Sequence, residues 1–287
     1  MPHVILLAAS VSTLRAELDL LQLVDGKLPI PTGITHVVIE IGCSGFDRAW
    51  DSGINANSSI GIAPDIPISQ QEHVLLLSFE PLLDKYARYL SIMPSASSGP
   101  MSKPARLGWS VPGRAIVLPY AVGEPEGFTE FHVHDNDGCS SLLAVENTGQ
   151  AVGPAGCFKE RERRRVPVIS MRTILEWLPT SVRIAHAKID AQGYDLRVAK
   201  SAGDGLSRIE SLTMEVTADT LHLPYSGADK CMDVVNYLQS VGFEATHAHR
   251  NPLSTRERAE HACKHGWKTH YGNKKLDHSA WNFFRVG

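Results

Sequence analysis

The chain has 287 residues, 43% hydrophobic and 21% charged, with Lys+Arg 28 against Asp+Glu 31 for a formal charge of -3. This composition excludes wholesale disorder and fibrous classes, and the charge gives no global field to hold a polyanion, so nucleic acid is not expected as a partner. At about 150 residues per domain the length allows one or two domains.

Apolar runs such as Val4 to Ala9 and Val74 to Leu77 fall far short of the roughly 20 residues of a membrane-spanning helix, so no membrane is expected. No Lys or Arg precedes the first run, which suits a secretory signal poorly and leads us to expect a cytoplasmic chain. Cys43, Cys139, Cys157, Cys231 and Cys263 are scattered without a CxxC pair. They read as reduced thiols rather than as a disulfide framework.

In chain order, Leu14, Leu18 and Leu21 recur at helical spacing behind Ser12 and Thr13, predicting a leading helix. HVVIEIG (36 to 42) predicts the first buried strand, and HVLLLSFEP (73 to 81) a second, closed by Pro81 ahead of a helix carrying Leu82, Leu83, Tyr86 and Leu90. A Pro-, Gly- and Ser-rich surface loop follows over 93 to 113, then a third strand over 114 to 122. FTEFHVHD (128 to 135) alternates like a half-exposed strand off the main sheet.

The stretch 146 to 165, with Arg161, Arg163, Arg164 and Arg165 interleaved with Glu160 and Glu162, reads as a solvated loop, with a role toward an anionic substrate or as a lid as the alternative. A helix capped by Ser170, a strand over 183 to 190, a turn and helix, a strand over 211 to 216 and an amphipathic helix over 229 to 243 come next. Two closing strands flank a polar insertion. Such alternation predicts an α/β fold with a mostly parallel sheet covered on both faces, its ligand at the carboxyl ends of the strands.

Those ends carry the candidates. Glu40-Ile41-Gly42-Cys43-Ser44-Gly45 ends the first strand, and its glycines permit close backbone approach to a ligand. Glu80, one βα unit later, is placed to accept from both hydroxyls of a ribose. A tight turn and an acid at a helix N-terminus are the alternatives for these two features. Together they describe a nucleoside-binding half, without the third glycine of a dinucleotide fingerprint.

In that order the chain resembles the FkbM-type S-adenosylmethionine-dependent methyltransferases. The matching pieces are VVIEIGCSG (37 to 45), LSFEPLLDKYARYL (77 to 90), YAVGEPEGFTEFHV with CSSLL (120 to 143), VPVISMRTILEWL (166 to 178) and AKIDAQGYDLRVAKSAG (187 to 203). IESLTMEV, VVNYLQSVGFEA and WNFF continue it to 284. The resemblance implies a Rossmann-like methyltransferase fold with a mostly parallel seven-stranded sheet. A helix and loop over 1 to 35 would precede one domain over 36 to 287, with a strand pair inserted near 128 to 145 and a further insertion near 247 to 279.

It also implies S-adenosyl-L-methionine as cofactor, with Glu40, Gly42, Cys43, Ser44 and Gly45 around its methionine part and Glu80 on its ribose. Ser140 and Ser141 match the family's serine pair, as cofactor contacts or as turn residues. By the same resemblance Asp190, ending the KID strand, would face the methyl-transfer site, with a buried structural acid as the alternative. The chain departs from the family in a glycine turn one residue shorter, in Gln192 where Glu is usual, and in Arg172 where the helix commonly starts Leu-Asp.

Methyl transfer is an in-line displacement that gains most from positioning, and a hydroxyl acceptor adds a need for a general base. Asp190, Glu215 and His222 are the candidates, with Asp190 first. Six of 13 histidines fall between His247 and His278, and His261 and His265 share a helical face. Ala262 stands where a zincin has its Glu, so no metal is expected. Cys43 reads as packing rather than nucleophile.

The leading expectation is O-methylation of a small-molecule hydroxyl, a sugar or natural product, by a chain compatible with a homo-oligomer. A nicotinamide-dependent oxidoreductase and a catalytically silent cofactor-binding module of the same fold are the competing readings.

Overall fold

A computed structural model describes residues 23–42, 71–86, 115–145, 156–157, 159–219, 225–247, 256–265 and 278–285. The leading helix before residue 23, the loop over 93 to 113, Cys43, Ser44, Gly45 and His222 lie outside the described residues.

The main sheet is built on β1 (His36–Ile41), β2 (Val74–Phe79) and β3 (Ala115–Leu118). HVVIEI and VLLLSF are buried along nearly their whole length, the pattern of central strands covered on both faces. Val37, Val38, Ile39, Leu75, Leu76 and Leu77 are fully buried there, each stabilising by about 1.5–3 kcal/mol on leaving water.

Counting β7 (Arg183–Ile189), β8 (Ser211–Thr217), β9 (Phe243–His247) and β10 (His278–Arg285), the sheet order is β3-β2-β1-β7-β8-β10-β9. The five strands from β3 to β8 run parallel, while β10 is antiparallel to both β8 and β9. The chain moves outward from β1 to β3 and returns beside β1 as β7. That reversal is the topological switch point, where an open α/β sheet has its ligand crevice.

The predicted third strand divides. Past Pro119 the chain leaves β3 and enters β4 (Ala121–Val122) of a separate three-stranded sheet, order β4-β6-β5. Proline lacks the N–H that a ladder needs. In β5 (Gly127–His134) the first half is open and the second buried, so burial does not alternate as its pattern predicts. Phe131 and Val133 pack with Leu82, Ala121, Val166 and Val168 in a small core of their own.

The stretch read as a solvated loop is corrected over residues 160 to 165, which belong to β6 (Glu160–Ile169), antiparallel to β5. The ladder partner of β5 is therefore β6, while Ser141 meets the other edge of β5 in an isolated antiparallel bridge to His132. Its charges neutralise locally: Arg163 Nε donates to Glu160 at 2.7 Å, Arg164 Nη2 to Glu162 at 2.6 Å, and Arg164 also pairs with Asp84. With the repulsion cancelled, nothing opposes the ladder.

α1 (Met171–Trp177) opens at Ser170, whose Oγ accepts from the Thr173 N–H at 3.1 Å, and packs Met171, Ile174, Leu175 and Trp177 inward. α2 (Asp195–Lys200), α3 (Cys231–Ser240) and α4 (Arg256–His265) follow along the chain. No described helix is long and apolar enough to cross a membrane.

The expectation of reduced thiols is overturned for four cysteines. Cys139 pairs with Cys157 and Cys231 with Cys263, at Cα separations of 5.2 and 5.4 Å. The partners are 18 and 32 residues apart. Tertiary packing brings them together, and no local spacing announces it.

Candidate functional site

At the switch point the ends of β1, β2 and β7 close on one another. Gly42 has φ 75°, and its N–H donates to the Phe79 carbonyl at 3.3 Å. The Asp190 N–H donates to the Ile41 carbonyl at 3.1 Å. A side chain at 42 would collide with the Asp190 carbonyl, so only glycine lets β1 turn here.

Glu40 is buried beneath this turn and accepts from Ser78 Oγ at 2.9 Å, directly across the β1–β2 pair. Glu80 follows β2, with its N–H donating to the Leu118 carbonyl and Oε1 accepting from the Leu82 N–H, both at 3.0 Å. Burial pushes its carboxyl up from the ordinary range, and Lys85 opposes that shift. Lys85 is itself buried, and its ammonium meets both the carbonyl and Oδ1 of Asp137 at 3.2 Å.

The turn Asp137–Cys139, capped by Asn136, swings the serine pair inward. Ser140 Oγ accepts from the His134 N–H at 3.2 Å. Ser141 Oγ donates to the Gln192 carbonyl at 2.9 Å and accepts from the Leu143 N–H at 3.1 Å. A pocket opens between this turn and the strand ends; Glu80, Leu82, Phe131, Ser140, Leu142 and Asp190 are among its walls.

The loop after β7 holds the acids. Asp190 Oδ2 pairs with Lys188 Nζ at 3.2 Å, and Oδ1 accepts from Gln192 Nε2 at 2.7 Å. The same Gln192 nitrogen donates to Glu215 Oε2 at 2.8 Å. Burial, then the neighbouring charge of Asp190, lifts the Glu215 carboxyl well above its usual range. Asp195 accepts from the N–H groups of Ala191 and Gly193 at 3.4 and 3.2 Å, fixing the loop, and burial raises its carboxyl as well. The Tyr225 hydroxyl shares its proton between the carbonyl of Cys139 at 2.8 Å and Gln192 Oε1 at 2.9 Å.

Of the residues singled out in the sequence, Gly42, Glu80, Ser140 and Asp190 meet at the pocket, with Glu40 and Ser141 behind it. Glu215 joins Asp190 through Gln192. Lys85, Phe131, Gln192 and Tyr225 escaped the sequence reading. Lys85 sits in an unremarkable amphipathic stretch, and Tyr225 has no motif around it. Gln192 entered that reading only as a missing carboxylate. Among the described residues no cluster of His, Cys, Asp and Glu could hold a metal ion.

A carboxylate at the end of β2, a side-chain-free turn at the end of β1 and an apolar slot between them lie at the switch point of a parallel sheet consistent with a Rossmann-like fold. Residues 66–245 match the family model described as Methyltransferase FkbM domain, and the chain belongs to that family of methyltransferases. No curated protein and no solved structure matches the chain.

Proposed function

We propose that the protein is an S-adenosylmethionine-dependent methyltransferase that methylates a hydroxyl of a small molecule such as a sugar or natural product. The observation that carries this reading is the pocket in which Glu80, Gly42 and Asp190 converge from three adjacent strand ends. The residues fit the cofactor: Leu82, Phe131 and Leu142 suit an adenine face, Glu80 suits ribose hydroxyls, and the bare turn at Gly42 leaves room for the amino-acid part. Bound there, S-adenosylmethionine supplies an electrophilic methyl group.

The protein's own part is to hold the acceptor oxygen in line and to remove its proton. Near-attack positioning supplies most of the rate. Asp190 is the base, because it opens on the pocket whereas Glu215 lies behind Gln192. The partner is a small-molecule acceptor, without nucleic acid or membrane, and self-association into a homo-oligomer is compatible with this role. Cytoplasmic placement asks the two disulfides to persist against a reducing thiol pool, so alkylation in freshly lysed cells bears directly on location.

Calorimetric titration with S-adenosylmethionine tests the reading. Saturable binding by the wild type, weakened by Glu80→Ala, is expected. Absence of binding, with no change in Glu80→Ala, would sink it, and a rise in melting temperature with NAD in its place would turn it toward the oxidoreductase.

A further inference from the structure

We propose that Gln192 is a positioning residue that fastens the carboxylate of Asp190 in the transfer end of the pocket, with Tyr225 and Glu215 as its anchors. The inference rests on the methyltransferase reading above and adds a residue which that reading does not use.

Gln192 stands in the left-handed region at φ 52°, a conformation that costs a non-glycine residue free energy unless its surroundings hold it there. Three side-chain contacts do so. Its Nε2 donates to Asp190 at 2.7 Å and to Glu215 at 2.8 Å, and its Oε1 accepts from Tyr225 at 2.9 Å. The main chain is gripped too, since Ser141 Oγ donates to the Gln192 carbonyl at 2.9 Å.

An amide is the one common group that can do this. It presents two donors on one atom and an acceptor on the other, without charge. A carboxylate in its place would set a third acidic group against Asp190 and Glu215 and would offer no donor to either. The remaining charges facing the cluster are Lys188 from β7, 3.2 Å from Asp190, and Asp195 from α2, which acts on both Asp190 and Glu215. Lys188 also donates to the Gly42 carbonyl at 3.3 Å, so it grips Asp190 from the β1 side while Gln192 grips it from the other.

The consequence concerns charge recognition. A sulfonium beside Asp190 is attracted by a carboxylate held in place, whereas the neutral thioether of S-adenosylhomocysteine is not. Loss of the clamp therefore acts on the cation and spares the thioether, while loss of mere scaffolding weakens both alike.

The test is calorimetric titration of the full chain with each nucleoside in turn, for wild type, Gln192→Met and Tyr225→Phe. Methionine keeps the unbranched shape and removes every polar contact of the amide. Gln192→Met is expected to bind S-adenosylmethionine about tenfold more weakly, a loss of about 1.4 kcal/mol, and S-adenosylhomocysteine within about twofold of wild type. Tyr225→Phe removes one anchor and is expected to show the same asymmetry at smaller size, which keeps the test open if Gln192→Met fails to fold. Equal losses for the two nucleosides, or no loss, overturn the proposal. A wild type that binds neither overturns the methyltransferase reading itself.

Discussion

Gly42 and Asp190 lie so close, at the ends of β1 and β7, that the main-chain carbonyl of Asp190 occupies the place of a side chain at residue 42. The contact joins the two strands that flank the switch point. It explains why the first of the two glycines in GCSG is required: φ 75° disfavours a Cβ and the approaching carbonyl leaves no room for one.

Gly42→Ala therefore pays both a backbone penalty and a steric one. The left-handed conformation alone costs about 1 kcal/mol and crowding adds about 1–3 kcal/mol. Urea unfolding is expected to show that loss, together with the loss of S-adenosylmethionine binding. Alanine at wild-type stability would mean that β1 and β7 do not approach in this way.

A second relationship makes stability depend on pH. His186 is fully buried, and burial lowers its pKa to about 3. Its Nδ1 lies 2.7 Å from Ser211 Oγ, which itself donates to the Ala185 carbonyl at 2.9 Å, so Nδ1 carries the proton of the neutral ring. The unfolded chain takes up a proton below pH 6.5 while the folded chain declines it until about pH 3. Stability is thus complete above pH 6.5 and falls by about 1.4 kcal/mol per pH unit as the medium is acidified through that window. His186→Leu, which leaves the Ser211 bond to Ala185 intact, is expected to flatten the acid slope of urea-unfolding free energies. An unchanged slope would assign the acid sensitivity to other groups.

Much of this was legible in the sequence because the main sheet is made of unbroken apolar runs punctuated by Gly and Pro. HVVIEIG, HVLLLSFEP and RIAHAKID became β1, β2 and β7 within a residue or two, and the acids at their ends fell where the strand boundaries placed them. The second sheet was harder to read. β6 carries its charges on both sides and becomes a strand through cross-strand and neighbouring ion pairs, which periodicity does not register. Gln192 was legible only as an absence, since its value lies in what surrounds it in space. Cysteine spacing failed for the same reason: Cys231 and Cys263 meet through the packing of α3 on α4.

The disulfides are directly measurable. Alkylation of the denatured, unreduced chain is expected to label one cysteine of five. The Cys139–Cys157 pair closes an 18-residue separation, for which chain entropy predicts about 3 kcal/mol of stabilisation. Cys157→Ser is expected to lose about that much in urea unfolding without reductant, and wild type should lose at least as much when reductant is added. Five labelled cysteines in the unreduced chain would restore the reduced-thiol reading.

The last prediction concerns Lys85, whose ammonium is buried between Glu80 and the Asp137 turn. It holds the turn through the Asp137 carbonyl and Oδ1, and it is the largest influence opposing the burial that raises the Glu80 carboxyl. Lys85→Met keeps the packing of the stem and deletes the charge. Of the influences that opposed burial the Leu82 N–H then remains, so the Glu80 carboxyl holds a proton to higher pH than in the wild type. A protonated Glu80 has one acceptor fewer for the ribose hydroxyls. Affinity for S-adenosylmethionine in Lys85→Met is accordingly expected to be weakest at low pH and to recover as the pH rises through the shifted value. Titrations across the pH range over which the protein stays folded measure this directly. A loss of equal size at every pH would leave Lys85 with the turn alone as its role.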